Sequence, residues 1–129
     1  MRYTNIAIRL DVLGLTLRDL SNAVNDRLRE QGRPEIHYTI LSKTIGGYRE
    51  KRGKEALAMA ESITSRWMTE YAREHLRVLK PRLEQNGINT DGLMAKTVVD
   101  QDCNTTIVFV DGNGRHRAYY RPHCDLITI

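Results

Sequence analysis

The sequence has little of what marks exported or membrane-anchored proteins. It contains two cysteines in 129 residues, too few for a disulfide scaffold. No apolar run approaches the roughly 18 residues of a membrane-spanning helix. The opening stretch MRYTNIAIRLDV carries charges among its apolar residues, which does not fit a signal peptide. We therefore expect a cytoplasmic protein without membrane association, in which Cys103 and Cys124 remain thiols more readily than they form a disulfide.

Charge is distributed unevenly along the chain. The composition, 40% hydrophobic and 28% charged with a net charge of +4, is that of an ordinary folded protein of one domain or two very small ones. The first 54 residues carry eleven Lys/Arg against six Asp/Glu, whereas the remaining 75 carry nine against ten. A surface that attracts a polyanion is thus predicted in the N-terminal half.

Apolar residues at three- and four-residue spacing predict a series of short helices. The first covers about Thr4 to Leu13 and is stopped by Gly14. A second begins at Thr16, a good N-cap with Asp19 three residues on, and continues to Arg29 or Gln31. A third runs from His37 or Tyr38 to Ile45 and is closed by two glycines.

A longer helical pattern follows from about Gly53 to Leu79 and represents one helix or two. Pro81 suits a first helical turn, so residues 81–85 are predicted to form a last short helix. From Leu93 the residues become β-branched and aromatic, and the DGNG sequence at 111–114 is a strong hairpin turn. The predicted strands lie near residues 98–99, 105–110, 115–120 and 126–129.

These elements predict an α+β fold: an N-terminal helix-turn-helix bundle of four to five helices, followed by a small C-terminal antiparallel β-sheet. The predicted division is residues 1–80 for the helical domain with its long last helix, 81–92 for a short helix and linker, and 93–129 for a small β-meander that serves dimerisation or partner binding.

The third helix is polar on one side and apolar on the other. A helix-turn-helix unit places such a helix in the major groove of duplex DNA, with side chains of its first turns at the base edges. The predicted base-reading residues are Tyr38, Thr39, Ser42 and Lys43. Packing of Tyr38 against the second helix is the alternative. The predicted phosphate-binding residues are Thr16, Arg18, Arg49, Lys51, Arg52 and Lys54.

The segment LSKTIGG at 41–47 resembles the end of the recognition helix in the lambda-repressor-like, Cro-type helix-turn-helix proteins. The segment LTLRDL at 15–20 is similar to the opening of the preceding helix in that family, and RGKEA at 52–56 is similar to small phage DNA-binding regulators. The resemblance covers about residues 4–63. It implies a sequence-specific transcriptional regulator of phage or mobile-element type, a repressor that excludes polymerase from an operator, without a cofactor.

One segment departs from that family. Residues 25–35 insert roughly ten residues between the second and third helices. A longer second helix that returns through Gly32, Arg33 and Pro34 would accommodate them, with Arg27, Arg29 and Arg33 near the DNA backbone or on a dimer surface. The insertion favours an alternative function, a protein-binding module on the same scaffold, such as a host-factor inhibitor or an antitoxin.

Specific DNA sites are normally bound by two-fold dimers, so a homodimer is predicted. Trp67, Tyr71 and Leu76 exceed the needs of a small helical domain and are the predicted dimer contacts. The sheet is the alternative surface for association or for a protein partner, through apolar residues at Ile107, Phe109, Ile127 and Ile129.

No catalytic or metal site is predicted. Cys103, His116, His123 and Cys124 are metal-ligand types, but they lack the spacing of a zinc knuckle. Asp100, Asp102, Asp111 and His116 show no arrangement of nucleophile, base and orienting group. We therefore expect no enzymatic activity, and a small metal-dependent nuclease is the remote alternative.

Overall fold

The computed structural model describes residues 4–47, 51–99, 105–121 and 126–128, with Thr4, Lys51 and Arg52 described by their backbone. Within these ranges four helices precede four strands. They are α1 (Thr4–Leu13), α2 (Leu17–Glu30), α3 (Tyr38–Ile45), α4 (Lys51–Gln85), β1 (Met94–Val99), β2 (Thr105–Val110), β3 (His116–Tyr120) and β4 (Leu126–Thr128). The predicted α+β fold, with helices before an antiparallel sheet, is confirmed. None of the helices in these ranges is both long enough and apolar enough to cross a membrane.

A capping box marks the start of α2, and a glycine follows the end of each of the first three helices. Thr16 caps α2 in a capping box with Asp19. The same helix ends just before Gly32, whose φ of 69° is a left-handed conformation that glycine adopts without strain. Local signals therefore determine these boundaries, and they match the prediction closely.

The chain forms two compact units, Met1–Trp67 and Met68–Ile129. The division lies inside α4, so the linker predicted at 81–92 belongs wholly to the second unit. α4 also continues through Pro81 to Gln85, where a separate short helix was predicted. Leu79 and Leu83, on either side of the proline, are both buried in the core of the second unit. Burial of these two side chains holds the helix together across a residue that cannot donate a backbone hydrogen bond.

The first unit has a core formed by all four helices. Its buried residues are Ile6, Leu10, Leu20, Val24, Leu28, Ile36, Leu41, Ala56, Leu57, Ala60 and Ile63. Arg9 joins α1 to α4, donating from Nη1 to the hydroxyl of Thr64 at 3.1 Å and to the carbonyl oxygen of Glu61 at 3.3 Å. The spacing of the apolar residues on each helix thus produces a single core that fixes α3 against its neighbours.

The second unit packs the C-terminal part of α4 on a four-stranded meander. The strands lie in the order β1-β2-β3-β4, each antiparallel to the next. The core includes Ile107 and Phe109, both fully buried. The prediction that these two residues offer an apolar surface for association was wrong, because they point toward the helix, as the alternating residues on one face of a strand do.

Candidate nucleic-acid interface

The outward side of α3 carries the four residues predicted to read bases. Leu41 and Thr44 are buried on its inner side. Helical periodicity turns the predicted residues away from that side. Thr39 and Lys43 are exposed, whereas Tyr38 and Ser42 are half-buried. The structure therefore brings Tyr38, Thr39, Ser42 and Lys43 together on one surface.

The first turn of α3 is capped by a histidine. His37 is the N-cap residue, and its Nδ1 accepts a hydrogen bond from the backbone N–H of Thr39 at 3.2 Å. Histidine is not among the preferred N-cap residues, and this role was not predicted from the sequence. The exposed imidazole therefore lies at the amino end of the helix, where a bound anion would approach.

The amino end of α2 is occupied by a carboxylate. Thr16 donates from both its backbone N–H and its hydroxyl to Asp19 Oδ2, at 2.8 and 2.9 Å. The hydrogen bonds from the backbone and the side chain of Thr16 lower the pKa of Asp19 from its ordinary value. Because the Thr16 hydroxyl already donates to Asp19, the phosphate contact predicted for Thr16 requires it to leave that partner.

Arg18 links the two helix starts. Its guanidinium lies 5.0 Å from the centroid of the Tyr38 ring, within cation–π range. Tyr38 therefore contacts α2, which is the alternative that the sequence left open, while its exposed fraction remains on the outward side of α3. The exposed Arg18 is thus adjacent to the outward side of α3.

The long connection between α2 and α3 is held in place by one amide side chain. Asn25 accepts from the backbone N–H of Ile36 at 2.8 Å and donates to its carbonyl oxygen at 3.0 Å. Ile36 itself is buried in the core. The pairing fixes the chain two residues before α3 begins, so the insertion does not prevent a defined position for that helix. The sequence analysis did not predict this pairing because Asn25 and Ile36 are eleven residues apart.

The arginines of this connection are paired with acids. Arg29 pairs with Asp26 and, at 3.1 Å, with Glu35. Arg33 pairs with Glu55 at the start of α4. Exposed pairs of this kind stabilise weakly, but they neutralise charge locally. These two arginines therefore contribute less to a cationic surface than their number in the sequence indicates.

Three of the predicted phosphate contacts, Lys51, Arg52 and Lys54, lie in the first turn of α4. Lys43 and Lys54 are exposed and take part in no ion pair within the described part of the chain. Gly53 packs against Thr44, so the beginning of α4 lies beside α3. Lys51 and Arg52 begin α4, where only their backbone is described, and Arg49 lies outside the described residues.

The predicted dimer residues have partners within the chain. Trp67 packs partly buried against the core of the first unit. Tyr71 and Leu76 pack against the core of the second unit, where burial and the nearby Tyr120 raise the pKa of Tyr71. Self-association through these residues stays a prediction.

Several residues considered for metal or disulfide chemistry, Asp100, Asp102, Cys103, His123 and Cys124, lie outside the described residues. The alternatives raised for them stay open. His116 and Asp111, which are described, belong to the hairpin of the sheet: the Asp111 carboxylate accepts from the backbone N–H groups of Asn113 and Arg115 at 2.9 and 3.0 Å.

Comparison of the chain with protein-family models, with curated proteins and with solved structures gives no match in any of the three.

Proposed function

We propose that the protein is a sequence-specific double-stranded DNA-binding regulator, acting in the cytoplasm as a dimer and without a cofactor, and that it is a repressor of phage or mobile-element type. The observation that supports this most is the composition of α3. Its inner side is fixed in the core by Leu41 and Thr44, and its outer side carries hydroxyls and an exposed lysine. A short helix presented in this way suits the major groove.

The proposed contacts divide between bases and phosphates. Lys43 reaches guanine acceptors in the groove, and the hydroxyls of Thr39 and Ser42 contact bases or backbone. Lys54 and Arg18, on the neighbouring helices, contact phosphates and set the register of the protein on the duplex. Neutralising four to six phosphates would give a log-log salt slope of roughly −4 to −5.

The first experiment is a fluorescence-anisotropy titration of random duplex and of the DNA that flanks the protein's own gene, at two salt concentrations. Specific binding predicts that the flanking duplex stays bound at the higher salt while random duplex is released. Weak and equal binding that disappears with salt would leave only a basic surface and would reject the proposal.

Two variants separate the roles of the cations. Lys43→Ala should cost about 1–3 kcal/mol on the specific duplex and relax sequence preference. Lys54→Ala should weaken binding to all duplexes alike and reduce the salt slope by about 1. Lys80→Ala, an exposed lysine in the second unit, is the matched control and should change neither. The reverse pattern for Lys43 and Lys54 would contradict the division of roles.

The second candidate is a protein-binding module, either a host-factor inhibitor or an antitoxin. The observation that favours it is the neutralisation of charge around the connection, where Arg29 and Arg33 are paired with acids, together with the Asp19 carboxylate at the start of α2. A face that binds anions would leave its arginines unpaired and would not place a carboxylate at a helix start. A stable complex that forms with a purified host protein, in the absence of any DNA binding, would establish this candidate.

A further inference from the structure

The first unit has a groove between two of its helices, formed by the C-terminal half of α2 and the middle of α4. Its floor consists of Ala23, Ile63 and Trp67, and its volume is about 240 Å³. Ile63 is buried, whereas Ala23 and Trp67 pack partly buried against the core of this unit. The small side chain of Ala23 therefore leaves part of the indole accessible from the groove.

Four charged side chains surround this apolar floor, two of each sign. The acids are Asp26 and Glu30, and the bases are Arg27 and Arg66. Asp26 pairs with Arg29, and Arg66 interacts with another group of the chain. Because the charges of the described lining residues cancel, the groove favours a ligand that carries both signs over a simple cation or a simple anion.

Two of these charges have no opposite charge beside them. Arg27 and Glu30 lie three positions apart on α2 and so share one surface of the helix. Neither takes part in an ion pair within the described residues, in keeping with the less favourable order of base before acid along a helix. Arg27 donates to the neutral hydroxyl of Ser62 at 3.5 Å, a long hydrogen bond that leaves its charge uncompensated.

The ligand that suits this arrangement carries an ammonium group and a carboxylate close together, with an apolar body. The groove is smaller than the roughly 300–1,000 Å³ clefts that hold drug-sized molecules, so the ligand is a small one. An α-amino acid has both charges on one carbon and an apolar side chain beside them. An aromatic side chain adds a favourable ring contact with Trp67 beyond the area it buries.

We propose that the groove between α2 and α4 binds a free α-amino acid with an aromatic side chain. Glu30 pairs with its ammonium group, Arg27 pairs with its carboxylate, and its ring packs on Trp67. This inference does not depend on DNA binding, and its test contains no DNA.

The test uses the fluorescence of Trp67, which is the one tryptophan of the sequence and lines the groove. The probe is L-phenylalanine, excited at the red edge of indole absorption, where phenylalanine does not absorb. L-alanine lacks the ring and should bind about tenfold more weakly. N-acetyl-L-phenylalanine lacks the ammonium group, L-phenylalaninamide lacks the carboxylate, and each should bind about fivefold more weakly. No saturable change in emission with phenylalanine, or equal binding of all four compounds, would reject the proposal.

Variants of the two charged residues assign each contact. Glu30→Gln should weaken phenylalanine binding about fivefold and should abolish the difference between phenylalanine and its N-acetyl derivative. Arg27→Gln should likewise abolish the difference between phenylalanine and its amide. Asp91→Asn and Arg82→Gln, exposed positions in the second unit, are the matched controls and should leave binding unchanged. Weakening of all the ligands by the same factor in Glu30→Gln or Arg27→Gln would contradict the assigned contacts.

A variant of the floor locates the binding in the groove. Ala23→Leu should fill the space beside Trp67 and abolish binding, whereas Ala23→Ser should retain it. The urea midpoint of each variant shows that it remains folded. Unchanged phenylalanine binding by Ala23→Leu would place the ligand elsewhere and overturn the proposal.

Trp67 is also a predicted dimer contact, so sedimentation of the unmodified protein accompanies the titration. We expect phenylalanine to bind with the same affinity at protein concentrations below and above any dimerisation. Binding that disappears as dimers form would assign the groove to a second copy of the chain and would overturn the proposal.

Discussion

Replacement of Gly53 by alanine tests the contact that positions α3. A Cβ at Gly53 would lie 2.2 Å from the Thr44 hydroxyl oxygen and 3.2 Å from its Cβ and Cγ2. Thr44 is 1% exposed, and its hydroxyl donates to the carbonyl oxygen of Ile40 at 2.7 Å. Rotating Thr44 away breaks this hydrogen bond inside the core, and otherwise α3 must move away from α4.

The expected change in the free energy of unfolding is the balance of opposing effects. Alanine in a helix is favoured over glycine by at most about 1 kcal/mol. Overpacking a tight contact costs about 1–3 kcal/mol, and losing the buried hydrogen bond costs about 1 kcal/mol more. We therefore expect Gly53→Ala to lower the free energy of unfolding by about 1–3 kcal/mol, seen as a decrease of about 1 M in the urea midpoint.

Two comparisons assign this loss to the contact. Gly46→Ala is the matched glycine control, because φ there is −73° and the nearest atoms to a Cβ are carbonyl oxygens at 3.4 and 3.5 Å, an ordinary distance. In a Thr44→Ala background, Gly53→Ala should cost less than in the unmodified protein, since the clashing oxygen is absent. Unchanged stability of Gly53→Ala, with no coupling to Thr44, would refute the close approach of the two helices.

Three other perturbations test the surroundings of α3. Asn25→Asp removes the donor to the Ile36 carbonyl and should destabilise the fold by about 1–3 kcal/mol in urea denaturation; no loss would show that the connection is held otherwise. The lowered pKa of Asp19 adds stability above its unfolded pKa of about 3.9, and this is lost as pH falls through the lower folded pKa. Thermal melts of Asp19→Asn and the unmodified protein should thus converge in strong acid, and a constant difference would contradict the Thr16 hydrogen bonds as its cause. Trp67→Ala should weaken self-association or folding, and a stable, unaltered dimer in sedimentation would count against its predicted role.

The start of α2 and the ends of the first three helices were predictable because their signals are local. Thr16 with Asp19 defines the start of α2, and a glycine beyond the end of α1, α2 and α3 defines each of these ends within a few residues. The hairpin between β2 and β3 was predictable for the same reason, since the DGNG sequence supplies both the acceptor Asp111 and a glycine with positive φ.

The contacts that position the candidate interface were not predictable in the same way. Asn25 contacts Ile36, Arg18 contacts Tyr38, and Gly53 contacts Thr44 only once the helices have packed. The continuation of α4 through Pro81 has a similar origin, because burial of the leucines around the proline outweighs the local preference for a helix start there. The residue types in α3 predicted which side of the helix faces outward. The contacts that position the helix depend on tertiary structure and could not be predicted in this way.

Residues that position α3 are distinct from residues that it presents. Gly53 and Asn25 act on the interior or on the connection, so their replacement should reduce stability and binding together. Lys43 is exposed and has no ion-pair partner in the described part of the chain, so its replacement should reduce binding while the free energy of unfolding stays unchanged. If the protein bound a partner protein through this region instead of DNA, the charge of Arg33 and Glu55 would matter as much as that of Lys43, because their pair lies on the connection that the insertion creates. The ratio of binding loss to stability loss across these variants therefore distinguishes the two proposed functions.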